Sequence, residues 1–205
     1  TDFDRRLSLA ALMPLLGYGS RGPARPGETP REVPSGLYFD LATWHLINTC
    51  YAPGRVAEWR QMRSWYADPV LHTRLMTVLV ERWGHALAAA AEQGKIDVAL
   101  HGAARLELHD IEPGLARELA GPETAAALEA DLQRIVDAAV ETARRAGVAP
   151  DSVDAVYFTG GSTGLTPLVD RIAAEFPRAQ RVRGDAFASV ASGLGVYAQR
   201  LYGAG

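Results

Sequence analysis

The sequence predicts an α/β fold, and the last third of the chain carries most of that prediction. The apolar run over 154–159 has the composition of a strand buried on both faces. A glycine-rich turn, a helix opening at Thr166, a short strand over 180–182 and a last helix from about Asp185 follow it. Strands that alternate with helices in this order are typical of a sheet with parallel strands.

Most of the chain before that point has the apolar periodicity of helices. The segments with this spacing are 2–16, 40–50, 54–66, 69–98 and 122–146. Residues 17–36 hold four prolines and five glycines, which predicts a surface loop, and alternating apolar residues predict a strand over 103–111. Asp4 and Asp68 resemble helix caps, and Gly147 is the expected end of the longest helix.

Aromatic side chains are concentrated in one stretch of the sequence. They are Tyr38, Phe39, Trp44, Tyr51, Trp59, Trp65 and Tyr66. We interpret them as a small local core, because aromatic side chains bury large areas when they pack together. A surface for a protein partner is the alternative interpretation.

Composition excludes several classes of protein. The chain of 205 residues carries a net charge of −3, so it lacks the strongly basic footprint of a nucleic-acid-binding protein. Its one cysteine, Cys50, allows neither an intramolecular disulfide nor a thiolate zinc cage, and we expect a reducing, cytoplasmic location. The sequence predicts no targeting segment and no membrane contact, and its five histidines lack the spacing of a zinc site.

The turn over 159–164 is the strongest local sign of a ligand site. Gly160 and Gly161 allow a ligand to approach the backbone closely, and they expose N–H donors. The helix beyond them would present the positive end of its dipole, which favours phosphate, and the turn would lie at the carboxyl end of a strand. Its spacing matches neither a Walker loop nor a dinucleotide fingerprint. A tight turn without a ligand is the alternative interpretation.

Three motifs resemble the Hsp70-like and actin-like ATPase superfamily, and they occur in the same order. Thr-Asp-Phe-Asp-Arg-Arg-Leu over 1–7 resembles the segment after the second phosphate-binding glycine pair, and Glu-Gln-Gly-Lys over 92–95 is similar to the Glu-x-x-Lys of the adenine-contacting helix. Val-Tyr-Phe-Thr-Gly-Gly-Ser-Thr-Gly-Leu-Thr-Pro over 156–167 resembles the closing adenosine motif, and Gly-Asp-Ala-Phe-Ala-Ser-Val over 184–190 follows it. Within the superfamily, the chain looks most like the short YegD-type Hsp70-like proteins.

The resemblance implies a fold and a ligand. The chain would be the second lobe of an actin-like ATPase, with an RNase-H-like lower subdomain formed by 1–16 and 113–205 and a mostly helical upper subdomain over 17–112. It would bind ATP or ADP with Mg²⁺, and the ion would be held mainly by an N-terminal lobe that this sequence lacks. The nucleotide-binding residues implied are Glu92, Lys95, Gly160, Gly161, Ser162 and Asp185.

The resemblance also implies a role for each group of residues. Glu92 would accept a hydrogen bond from the adenine or ribose, and Lys95 would cover the base or ribose and add positive potential near the phosphates. Ser162 would lie near the base, and the two glycines near the ribose and α-phosphate. Lys95 is the one lysine among 21 basic residues, which favours a site role over that of an ordinary surface lysine.

Three positions depart from the superfamily's pattern. Ile96 and Ala99 stand where it has an arginine and a serine, and Gly164 stands where it has the arginine that stacks on adenine. These replacements remove a planar cation and hydrogen-bonding groups from the purine site.

We therefore predict a nucleotide-binding lobe of an Hsp70-like molecular chaperone. Two alternatives stay open: a regulatory or scaffold protein that does not hydrolyse ATP, and a sugar or acid kinase of the same superfamily. The full-length protein would be an ATPase, with a co-chaperone or client protein as a further partner. This lobe alone, which carries no implied catalytic residue, would be inactive.

Overall fold

The chain is a mixed α/β protein, and the computed structural model describes residues 2–23, 27, 29–159, 165–184 and 189–203. Its contacts divide it into a first unit, Thr1–Leu128, and a second unit, Glu129–Gly205. The subdomain boundaries that the resemblance implies, at 16/17 and 112/113, are a different division and stay a prediction.

The predicted N-terminal helix is confirmed, although its winding changes along its length. An α-helical part, α1 (Asp2–Leu7), continues as a π-helical turn over Ser8–Leu12 and a 3₁₀ turn over Met13–Leu16. It ends at Gly17, whose φ of 103° is left-handed, a conformation that glycine adopts without strain. A Cβ atom at Gly17 would also lie 2.9 Å from Cδ1 of Tyr66, so a larger residue would not fit without a shift.

The next helices follow the prediction in part. They are α2 (Gly36–Leu41), α3 (Pro53–Gln61), α4 (Pro69–Val80) and α5 (Gly84–His101), with 3₁₀ turns over Ile47–Tyr51 and Met62–Trp65. The loop predicted before α2 is closed at its base by a β-bridge between Arg21 and Glu32. Asp68 caps α4 as predicted, since its Oδ1 accepts a hydrogen bond from the backbone N–H of Val70 at 2.9 Å.

The prediction of one helix over 69–98 is wrong, because the chain breaks between α4 and α5. Arg82 has a left-handed φ of 60°, and the second helix begins at Gly84. The backbone N–H of Gly84 donates to the hydroxyl oxygen of Tyr51 at 2.9 Å, which satisfies one of the donors that a helix start exposes. A Cβ atom at Gly84 would lie 2.5 Å from that oxygen, so the break depends on a contact with a distant residue.

A β-hairpin follows α5. Its strands β1 (Ala103–Glu107) and β2 (Ala116–Ala120) are antiparallel. The predicted strand over 103–111 is confirmed for its first half only, and β2 has no alternation that would predict it. The connection between the strands is held by Arg74 of α4, whose guanidinium donates to both carboxylate oxygens of Glu112 at 2.7 and 3.0 Å.

Three of the predicted aromatic residues lie in the core of the first unit. Tyr38, Trp59 and Tyr66 are buried, and the hydroxyl oxygens of the two tyrosines lie 2.6 Å apart. Burial raises the pKa of both hydroxyls, that of Tyr66 to about 12, so both remain protonated donors. The interpretation as a local core is confirmed for these residues, and also for Phe39, Tyr51 and Trp65, which are half-buried against the same core. Trp44 is the exception: it is 58% exposed, and its ring lies 4.6 Å from that of His85.

The longest helix confirms the prediction over 122–146. It is α6 (Gly121–Arg145), which spans the boundary between the two units. Gly147 follows with a left-handed φ of 68°, and its N–H donates to the carbonyl of Arg144 at 3.1 Å. This is the helix end that the sequence predicts.

The second unit contains the two strands that the sequence predicts there, and they pair in parallel. They are β3 (Ala155–Phe158) and β4 (Gln180–Arg183). The expectation that β3 is buried on both faces is wrong, because Tyr157 is 60% exposed while Phe158 is buried. Neighbouring residues of a strand face opposite sides, so one face of β3 is covered and the other is open.

Two helices complete the described part of the second unit. The helix α7 (Thr166–Glu175) buries Leu168, Val169 and Ile172. Its Arg171 donates to both carboxylate oxygens of Glu129 at 2.7 and 2.6 Å. The helix α8 (Ser189–Tyr202) confirms the last predicted helix, although Leu194 on its apolar face is 64% exposed. Among the described residues, no helix combines the length and the apolar character needed to cross a membrane.

Candidate functional site

The structure describes the surroundings of two predicted nucleotide-binding residues. Glu92 and Lys95 lie one turn apart on α5. The predicted residues that lie outside the described part of the chain are Gly160, Gly161, Ser162 and Asp185. For these four residues, only the ends of the strands that precede them in the sequence are described.

Lys95 forms an ion pair with Asp4 of α1. Its Nζ lies 2.5 Å from Oδ1 of Asp4, and the two side chains are 13% and 20% exposed. Both partners stand on packed elements, since α1 buries Phe3 and Leu7 and α5 packs against α1 and β1. The two residues are 91 positions apart, so the sequence pattern indicates only a helix cap for Asp4.

The place of Lys95 depends on the glycine before it. Gly94 is buried, and a Cβ atom there would lie 2.8 Å from Cδ2 of Leu106 and 2.9 Å from Cδ1 of Leu119. Because Gly94 has no side chain, α5 lies directly on the β1–β2 hairpin. A glycine inside a helix costs about 0.5–1 kcal/mol relative to alanine, and this close approach accounts for its presence.

Lys95 holds Asp4 in its charged form. Burial by itself would raise the pKa of the Asp4 carboxyl. The hydrogen bond and the charge of Lys95 are the largest effects in the opposite direction, and the net result is a pKa below its ordinary value. Asp4 is therefore ionised at neutral pH, and its negative charge offsets that of the ammonium.

Glu92 has different surroundings from Lys95. It is exposed, and it forms no hydrogen bond or ion pair with any residue that the structure describes. Although a residue three positions away on a helix is within reach, Lys95 donates to Asp4 and not to Glu92. The carboxylate of Glu92 is thus open to a donor from outside the chain.

The other predicted residues follow the carboxyl ends of the two parallel strands. Phe158 and Arg183, the last residues of β3 and β4, are paired. The backbone N–H of Gly184 donates to the carbonyl of Phe158 at 2.9 Å. The chain therefore leaves the same edge of the sheet before 160–162 and before Asp185. Ligand sites of open α/β sheets lie at this edge.

Two small cavities lie elsewhere in the first unit. One, of about 80 Å³, is lined by Pro30, Trp65 and their neighbours, and one of about 50 Å³ is lined by Trp83, Ile111 and theirs. Neither cavity is lined by the candidate residues on α5. Both are well below the roughly 300–1,000 Å³ of an ordinary ligand pocket.

Comparison with known proteins adds no family to these observations. No protein-family model matches the chain, and no solved structure matches it significantly. The resemblance to Hsp70-like ATPases therefore rests on the sequence motifs, and the architecture of the described residues is that of a mixed α/β protein.

Proposed function

We propose that this chain is a nucleotide-binding lobe with the actin-like fold of Hsp70-like ATPases, and that ATP or ADP is its ligand. The observation that carries the proposal is the parallel pair of β3 and β4, whose carboxyl ends lead together into 160–162 and into Asp185. Glycines at such an edge offer backbone N–H donors to a phosphate. The helix α7 begins shortly afterwards, at Thr166, and adds the positive end of its dipole.

In this proposal, Glu92 and Lys95 bind the nucleoside end of the ligand. A carboxylate accepts hydrogen bonds only, and an exposed one suits the amino group of adenine or a ribose hydroxyl. An ammonium has three N–H donors, and Lys95 gives one of them to Asp4. Its remaining donors suit the oxygen atoms of the ribose or the ring nitrogens of the base.

Mg²⁺ accompanies ATP in this proposal, and the described residues do not account for its binding. They include no cluster of three or more His, Cys, Asp or Glu side chains that could hold a metal ion. In this proposal, the ion has no ligand among them. What the chain's own residues do is bind and orient the nucleotide.

One observation favours a second candidate, a regulatory or scaffold protein that binds nucleotide weakly and does not hydrolyse it. Ile96 and Ala99 follow Lys95 on α5, and both are exposed. Neither residue offers a purine the cation or the hydroxyl that the superfamily has there. Gly164 stands where the superfamily has the arginine that stacks on adenine. Loss of a cation stacked on an aromatic ring costs about 0.5–2 kcal/mol, which would weaken binding without abolishing it.

Calorimetric titration of the chain with ADP, ATP and inorganic pyrophosphate, each with Mg²⁺, tests the proposal. We expect ADP and ATP to bind and pyrophosphate to bind more weakly, because pyrophosphate lacks the nucleoside. Glu92→Ala should weaken ADP binding by about threefold to tenfold. The matched control is Glu58→Ala, which removes an exposed glutamate from α3 and should leave the affinity unchanged. A folded chain that takes up no ADP at millimolar concentration would contradict the proposal.

A further inference from the structure

The Lys95–Asp4 pair is unusual among the ion pairs of the described residues. Its side chains are 13% and 20% exposed. In each of the other described pairs, at least one partner is more exposed than either of these. The chain's one lysine thus stands in a partly buried place, next to a fixed carboxylate.

This arrangement changes what Lys95 can recognise. An ammonium alone attracts phosphate through its charge, and the attraction reaches several ångströms in a partly buried site. With Asp4 ionised 2.5 Å away, the pair is neutral as a whole. What remains are the N–H donors of the ammonium, which act over hydrogen-bond distance and suit neutral oxygen and nitrogen acceptors.

We propose that Asp4 is a positioning and specificity-determining residue of the nucleotide site. It holds the ammonium of Lys95 in one place and cancels its charge, so that Lys95 contacts the nucleoside and does not serve as a phosphate-binding cation. Holding the ammonium also removes part of the rotamer entropy that a free lysine would lose on binding. This inference rests on the proposed nucleotide-binding function.

The test compares adenosine with ADP, which carries the same nucleoside and two phosphates. Affinities for both are measured by NMR titration of the wild-type chain, Asp4→Asn, Lys95→Met and the double variant. Lys95→Met should lower the affinities for adenosine and for ADP by the same factor, about threefold to tenfold. Asp4→Asn should raise the ratio of ADP affinity to adenosine affinity by about tenfold at low salt, because it leaves an uncancelled cation.

Two comparisons separate this role from a structural one. Asp4→Asn should leave the affinity ratio unchanged when Lys95 is already methionine, since Asp4 acts through Lys95. Glu112→Gln removes the acidic partner of Arg74, also in the first unit, and should leave the ratio unchanged as well. If Asp4→Asn does not fold, wild type and Lys95→Met decide the question, because a loss confined to ADP would overturn the inference.

The outcomes distinguish this inference from the function on which it rests. If the folded wild-type chain binds neither adenosine nor ADP, the proposed function fails and the inference fails with it. If both ligands bind but Asp4→Asn leaves their affinity ratio unchanged, nucleotide binding stands and the role of Asp4 is refuted. If Asp4→Asn changes the affinity ratio by the same factor in the Lys95→Met background, the role of Asp4 is refuted as well.

Discussion

Replacing Lys95 with methionine should destabilise the first unit even without a ligand. The substitution keeps a long side chain and removes the ammonium, so the mostly buried carboxylate of Asp4 loses its ion pair with Lys95. Removing one partner of a fully buried ion pair costs about 3–5 kcal/mol, and an exposed pair contributes about 0–1 kcal/mol. Because these side chains are 13% and 20% exposed, we expect a loss of about 2–3 kcal/mol in the free energy of unfolding at pH 7.

The pH dependence of this loss identifies its cause. In the wild type, the pKa of Asp4 lies below its ordinary value of 3.8, so the pair stabilises the fold above that value and the stabilisation is lost as the pH falls through the lowered pKa. Lys95→Met removes the hydrogen bond and the charge that do most to lower the pKa of Asp4, so this pKa should rise relative to the wild type and the carboxyl should take up a proton at higher pH.

Urea unfolding of both proteins, followed by circular dichroism from pH 7 downwards, measures this difference. The gap between wild type and Lys95→Met should be largest near neutral pH and should shrink as the pH falls. The double variant with Asp4→Asn should be more stable than Lys95→Met alone. Equal stabilities at pH 7, or a gap that does not change with pH, would refute the reasoning.

Three further predictions concern the glycines and catalysis. Gly17→Ala should cost about 2–4 kcal/mol in urea unfolding, because it combines a φ of 103° with a close contact to Tyr66. Gly19→Ala is its control and should cost about 1 kcal/mol, since Gly19 has a φ of 72° and open space around it; equal losses would show that packing plays no part. Gly161→Val should remove ADP binding in calorimetry, while the thermal unfolding temperature stays near that of the wild type. An unchanged ADP affinity would show that the double glycine forms a turn and has no role in binding. The chain alone should release no phosphate from ATP in a colorimetric assay, because phosphoryl transfer needs groups that converge on the γ-phosphate; steady turnover would show that the wrong lobe or family is assigned.

Local signals in the sequence predict several elements correctly. Three of them are the cap at Asp68, the left-handed Gly147 and the apolar spacing of α6. Each depends on interactions within a few residues, so the local sequence is enough to predict it. The parallel pair of β3 and β4 follows from the order of strand, helix and strand.

The features that sequence reasoning misses depend on distant contacts. The break before α5 depends on Tyr51, whose hydroxyl oxygen accepts from the N–H of Gly84 across 33 positions. Apolar periodicity continues through such a break and does not reveal it. The exposed face of β3 depends on what covers the sheet, which no property of the strand itself determines.

For the candidate site too, the sequence predicts the local arrangement and misses the contact between distant residues. Motif spacing identifies Glu92 and Lys95 on one helix, and the structure confirms that they lie one turn apart on α5. The spacing gives no sign of Asp4 as the partner of Lys95, because the two residues lie on different elements, 91 positions apart in the sequence. The Glu-x-x-Lys spacing and the presence of a single lysine in an arginine-rich chain both point to Lys95, and neither identifies Asp4.

Amide NMR of the ¹⁵N-labelled chain during titration with ADP is the most direct test of nucleotide binding. We expect saturable shifts at Lys95 and its neighbours on α5, and at Phe158 and Arg183, the ends of the parallel strands. Shifts confined to other parts of the chain, or no shifts at millimolar ADP, would contradict this expectation.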